Sequence, residues 1–298
     1  MTPEELTLVV RRVVTEVLRE MGDDRSDVAP EAAKSPASQD VAPPSPGRGP
    51  RHRPLPPPRS RAALERLVAK TPARIATGRT GTRYLTESYL GLRADHSIAL
   101  DAVESEIAEG WATAHGFVPL RTRATDHQDF LLHPDHGRRL DEASRATCEK
   151  EAERRLDVQL IAGDGLSALA LEENGPRLVA ALQKELAGAG FKVGRPLFVK
   201  FARIGVQDEI GVLTEARATI ILVGERPGLG TGDSLSIYTA FGPRLGQDNA
   251  EKDCISNVRQ LGFPPEQAAA RCAELMKRAF AAGGGGVKLA ATPQKAKR

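Results

Sequence analysis

Apolar residues near the amino terminus recur at three- and four-residue spacing. Leu6, Val9, Val10, Val13, Val14, Val17, Leu18 and Met21 make one stripe, with Arg11, Arg12, Arg19 and Glu20 between them, which predicts an amphipathic helix within residues 1–22. Thr2 can cap it, Pro3 suits its first turn and Glu5 can complete a capping box. A helix this short is marginal alone, so its stripe needs a partner surface. The periodicity then lapses. Ten of the 21 prolines fall between residues 30 and 58, among Ala, Ser and charged residues, which predicts a disordered linker over 23–60. A helix on such a tether can search for a surface away from the body, as a targeting peptide does; the competing reading is a helix that returns to its own core.

Residues 61–152 read as a smaller, mainly helical region, clearest at 62–70 and 96–107, with a glycine- and arginine-rich loop at 78–83. After residue 155 the pattern becomes short apolar runs alternating with helical stretches. Strands are expected at 158–162, 197–201, 218–223 and 236–241, helices at 177–186, 208–216 and 267–281, a turn at 164–167 and a glycine-rich loop at 224–230. This alternation predicts an α/β fold over 153–282, with a Rossmann-like, doubly wound, mostly parallel sheet. Such sheets bind ligands in the loops beyond their strand carboxyl ends. Residues 283–298, which open on glycines and carry four basic groups and no acid, read as a flexible tail.

With 298 residues, 40% of them apolar, the chain is long enough for a sizeable core. Its formal charge of +3 invites a nucleic-acid reading, but the excess is local. Residues 43–60 and 283–298 together carry +8, residues 1–42 carry −4, and the body over 61–282 carries −1. A duplex binder needs cations on one face and a single-strand binder needs stacking aromatics, which make up only 4% of this chain. Nucleic acid is therefore not an expected partner. Cys148, Cys254 and Cys272 stand far apart with no C-x-x-C pair, which suggests free thiols in a reducing compartment. No apolar run reaches the roughly 18 residues of a bilayer span, so no membrane association is expected.

The loop at 224–230 lacks the Lys-Ser or Lys-Thr of a phosphate-cradling loop, and Gly228-Leu229-Gly230-Thr231-Gly232 misses the final spacing of a dinucleotide fingerprint. Close backbone approach to a large flat ligand and a purely structural turn both fit it. Glu225, directly after a buried strand, is either solvated on the rim or accepts hydrogen bonds from a ligand. Cys254 reads as small packing or as a nucleophile, with no base near it in sequence. His127, His133 and His136 share one polar stretch, but their spacing lacks the i, i+4 geometry of a helical zinc site and shows no third ligand, so a surface loop and no metal are expected. No catalytic Ser-His-Asp set or nucleophile elbow is present, and no catalytic residue is assigned.

Several separated runs, in order, nonetheless resemble one family. They are Asp164-Gly165-Leu166-Ser167, then Ile221-Leu222-Val223-Gly224-Glu225-Arg226-Pro227-Gly228-Leu229-Gly230, Ser234-Leu235-Ser236 and Cys254-Ile255-Ser256-Asn257. Gly78-Arg79 with Gly81 and Arg83, Ala94-Asp95-His96 with Asp101, and Gly137-Arg138-Arg139-Leu140 extend the match over roughly 61–282. The chain resembles the small subunit of ethanolamine ammonia-lyase. The resemblance implies an adenosylcobalamin-dependent lyase that converts ethanolamine to acetaldehyde and ammonia by a radical mechanism and is active only with a large, barrel-shaped subunit carrying the substrate site. It implies cofactor contacts at Ile204, where the family carries valine, and at Glu225 and Cys254. No D-x-H-x-x-G sequence is present, so binding with the cofactor's own lower base is implied. The amino-terminal helix and linker match segments the family uses to enter a bacterial microcompartment, making its shell a further partner and placing the protein there or in the cytoplasm. The competing functions are a free-standing Rossmann-type nucleotide-binding oxidoreductase and a non-catalytic microcompartment adaptor.

Overall fold

The structure, a computed structural model, describes residues 59–71 and 73–290. The expected amphipathic helix, nearly all of the proline-rich linker and the last eight residues lie outside them. In order the chain forms α1 (Arg61–Val68), a hairpin of β1 (Arg79–Thr80) and β2 (Arg83–Tyr84), α2 (Thr86–Glu104) and α3 (Trp111–Ala114). Next come β3 (Val118–Arg121), α4 (His127–Leu132), α5 (Glu142–Glu151), β4 (Val158–Gly163), α6 (Ala168–Gly188), β5 (Leu197–Lys200) and α7 (Val206–Thr214). β6 (Ala218–Gly224), β7 (Leu235–Phe241), β8 (Lys252–Val258), α8 (Pro265–Ala282) and α9 (Gly286–Ala290) complete it. Among the described residues no helix is long and apolar enough to cross a membrane.

The six-stranded sheet runs β3-β5-β4-β6-β7-β8. β4 and β6 are buried along their whole length, as expected of central strands covered on both faces. Alternate side chains serve opposite cores. Leu160, Ala162, Ile220 and Leu222 meet α6 and α8 through Leu178, Leu182, Cys272 and Met276. Ile161, Ile221 and Val223 meet α5 and α7 through Cys148, Val206 and Ile210.

The sheet is mostly parallel, as expected: β3, β5, β4 and β6 are mutually parallel, while β7 and β8 return as an antiparallel meander. The region read as mainly helical supplies the edge strand β3, whose four residues include Pro119. A proline without a backbone N–H is tolerated at an edge and masks a strand this short. The run ending at the other edge, β8, is polar because much of it faces solvent. Helix α6 begins nine residues before its expected start and passes through Pro176. A helix-interior proline costs about 3 kcal/mol, which burial of Leu171, Leu178, Leu182 and Leu186 offsets. The loop at 78–83 is a hairpin turned at Gly81, whose φ of 62° suits glycine. The start of the tail is held in place: the Gly286 N–H donates to Asp253 Oδ2 over 2.9 Å and Leu289 is buried.

Candidate functional site

The carboxyl ends of β4, β5 and β6 open on one cavity of about 780 Å³. After β4 the chain goes to β5 on one side and then to β6 on the other. This is the reversal of strand order at which open α/β sheets hold ligands.

Asp164, at the end of β4, ties that strand end to the turn after β5. Its buried carboxylate accepts backbone N–H groups from Phe201 at 2.9 Å, Ala202 at 3.0 Å and its neighbour Gly165 at 2.9 Å. Phe201 has a φ of 59°, a left-handed conformation that a bulky residue keeps only where surrounding contacts impose it. The Thr122 hydroxyl adds a donor to the Phe201 carbonyl at 2.9 Å. Burial pushes the Asp164 carboxyl up to about 6, against the pull of its three donors. Beside it, Gly165 lets β6 approach: Leu166 N–H reaches the Gly224 carbonyl at 3.0 Å, and a Cβ on Gly165 would overlap that same carbonyl. Ser167 caps α6 by accepting from Ala170 N–H at 3.2 Å and donates to the Gly232 carbonyl at 2.5 Å.

Glu225 leaves β6 into this cavity. The Ser234 hydroxyl donates to its Oε2 at 2.6 Å, while the Ser236 hydroxyl and the Asn257 N–H donate to Oε1 at 2.5 and 3.0 Å. A carboxylate offers about four acceptor positions, so three are filled and one is available to a ligand. Ile204, carried by the turn after β5, lines the same cavity, as do Leu166 and Tyr238. Cys254 is exposed and pairs in register with Tyr238 across β7 and β8. Burial, reinforced by Cys254, pushes the Tyr238 phenol up to about 12. The structure thus brings Ile204 and Glu225 into one cavity, whereas Cys254 does not line it and is linked to it through its pairing with Tyr238, which does. The other two thiols are inert, burial holding Cys148 and Cys272 at about 12.

Charge is concentrated here. Lys252 and Asp208, both almost wholly buried, lie 2.9 Å apart and both line the cavity. The Arg203 N–H donates to the Gly137 carbonyl at 2.8 Å, and its guanidinium lies over the Phe130 ring at 4.2 Å while donating to the Phe130 carbonyl at 2.8 Å. The Arg203 stem fits because Gly137 has no side chain, and the Arg138 stem runs against Gly205 in the same way.

The polar histidine stretch lies near this rim. Asp126 caps α4 by accepting from Asp129 N–H at 2.8 Å. His133 Nδ1 and His136 Nδ1 lie 2.7 and 2.9 Å from Asp129 Oδ1, and the ligating atoms of the three residues fall within 4.8 Å of one another. His127 stands apart, against the rings of Phe130 and Phe201. Asp129, one helical turn before His133, is the third group that the histidine spacing alone does not reveal. Hydrogen bonding with Asp129 raises the His136 pKa above its ordinary 6.5, and hydrogen bonding with His136 holds Asp129 below its ordinary 3.8. A raised imidazole stabilises below 6.5 and loses its contribution as pH rises through its folded value. A lowered carboxyl stabilises above 3.8 and loses its contribution as pH falls through its folded value. The staple is therefore at full strength between those limits. In an NMR titration His136 should show a midpoint above 6.5 that Asp129→Asn brings down.

Sequence reasoning missed Asp164, Ser234, Ser236 and Tyr238 as parts of the site. The i, i+2 spacing of the two serines, which puts both hydroxyls on one side of an extended chain, was the available signal. A family model described as ethanolamine ammonia-lyase light chain matches residues 61–290. The ethanolamine ammonia-lyase small subunit of Clostridium perfringens is 38% identical over 220 residues, covering 74% of this chain and 75% of that protein. The small subunit of Clostridium acetobutylicum is 40% identical over 201 residues, covering 67% and 83%.

Proposed function

The chain belongs to the ethanolamine ammonia-lyase light-chain family, and from that premise we propose that it is the small subunit of an adenosylcobalamin-dependent ethanolamine ammonia-lyase. With a separate large subunit it would convert ethanolamine to acetaldehyde and ammonia. The observation that carries this reading is Glu225. Its carboxylate is fixed by three donors of its own chain and keeps one acceptor position in a cavity also lined by apolar Ile204 and Leu166. A corrin has a broad apolar face and a rim of amides, so the donor and acceptor chemistry of the cavity fits it.

When bound, adenosylcobalamin supplies a cleavable cobalt–carbon bond and with it radical chemistry. The chain's own residues hold and shield. Glu225 would accept from an amide of the corrin rim, Ile204 and Leu166 would cover apolar surface and exclude water, and Cys254 with Tyr238 would close the margin. The substrate site is assigned to the large subunit. The glycine loop after β6 runs into β7 rather than into a helix amino terminus, which weakens the nucleotide-binding alternative. Residues 1–22, tethered by 23–60, are proposed as the segment that addresses a microcompartment shell.

Co-expression with the large subunit tests the reading. A complex that retains cobalamin through gel filtration and releases acetaldehyde from ethanolamine only when adenosylcobalamin is present is expected. A co-purified complex that does neither overturns it.

A further inference from the structure

Five cations and three carboxylates line the cavity, a net charge of +2 on its walls. The compensation is uneven. Lys252 is paired with Asp208, whose pKa burial raises against the opposing pull of Lys252 and, more weakly, of Arg139. Arg138, Arg203 and Arg226 make no ion pair among the described residues. Arg203 is half-buried, its Nε is buried without a hydrogen-bond partner, and burial together with the charges of Arg138 and Arg226 lowers its pKa. Gathering like charges beside a partly desolvated guanidinium costs free energy unless an anion completes the group. The gathering is also built in. Gly137 makes room for Arg203 and Gly205 for Arg138, and the backbone hydrogen bond from Arg203 to Gly137 locks the two segments together. A guanidinium presents a rigid fork of donors that suits phosphate oxygens.

We propose that Arg203, flanked by Arg138 and Arg226, is the subsite for the phosphodiester of the cofactor's nucleotide tail. This rests on the cobalamin reading above. Among the parts of a cobalamin, the corrin rim carries neutral amides, whereas the tail linking the ring to the lower base carries a single anionic phosphodiester. Glu225 would then read the rim and the arginines the tail, which sets the orientation of the cofactor in the cavity.

Cobinamide, which has the corrin but lacks the nucleotide tail, separates the two roles. The full chain in complex with its large subunit is titrated with hydroxocobalamin and with aquacobinamide by equilibrium dialysis, as wild type, Arg203→Gln, Arg203→Lys and Arg138→Gln. Arg203→Gln should weaken cobalamin binding about tenfold or more and leave cobinamide within about twofold, Arg203→Lys should recover part of the loss, and Arg138→Gln should show a smaller loss of the same selectivity. Equal losses on both corrinoids, or no loss on cobalamin, overturn the subsite. If Arg203→Gln does not assemble, the exposed Arg138 decides by the same criterion. Wild-type complex that binds neither corrinoid overturns the cobalamin reading itself.

Discussion

Asp164→Ala should destabilise the protein by about 3 kcal/mol, a fall of roughly 6–12 °C in melting temperature for a chain of this size. The substitution leaves the N–H groups of Phe201, Ala202 and Gly165 without their acceptor, each orphaned buried donor costing about 1–3 kcal/mol. Part of that is returned because a buried carboxylate no longer has to be kept ionised. The backbone of Phe201 then has less to hold it in the left-handed region, so the turn carrying Arg203 and Ile204 loses its anchor. A second signature follows from titration. A carboxyl raised from 3.8 to about 6 in the folded state stabilises fully below 3.8 and loses that contribution as pH rises through 6, a swing of about 3 kcal/mol at 1.36 kcal/mol per unit. Thermal denaturation of wild type and variant between pH 4 and 7 checks both. The variant should melt lower throughout and lack the decline between 4 and 6, whereas parallel curves would show that Asp164 is not the titrating group.

Asp164 also shows where sequence reading stops. Its tetrapeptide was legible as a turn after a buried strand, and the apolar runs of β4, β5 and β6 located the sheet centre within a residue or two, because continuous burial leaves a continuous apolar signal. That the carboxylate points inward to hold residues 201 and 202, almost forty positions away, leaves no local trace. The edge strands were invisible for the opposite reason: Pro119 in β3 and the polar residues of β8 answer to solvent rather than to a core. Ile204 and Glu225 follow from the family resemblance, and their meeting in one cavity depends on strand order, which alternation alone does not fix. The pairing of Lys252 with Asp208, 44 residues apart, is likewise a product of the fold. Asp129 differs in kind. It sits one helical turn before His133, so it was within reach of spacing once the stretch was read as α4 rather than as a loop.

Glu225→Ala is expected to weaken cobalamin binding by roughly tenfold to a hundredfold, the worth of one charge-assisted hydrogen bond of about 1.5–3 kcal/mol, while the fold survives. The contrast with Asp164 lies in the donors. Asp164 satisfies three buried backbone N–H groups that have nowhere else to turn. Two of the donors to Glu225 are the hydroxyls of Ser234 and Ser236, which can rotate, and the third is the N–H of exposed Asn257. Ser236 itself lines the cavity, so water can replace the lost carboxylate there, and a stability cost of about 1–2 kcal/mol is expected. Glu225→Gln sharpens the test, because its single remaining oxygen can still accept from the serine side while its amide group would meet a donor with a donor. Cobalamin affinity in the reconstituted complex should therefore fall for both variants, more for alanine, with melting temperatures within a few degrees of wild type. Affinity unchanged in Glu225→Ala would mean that the carboxylate serves only to tie the ends of β6, β7 and β8 together. A matching fall in stability and affinity would mean that it reaches the cofactor only through those strands.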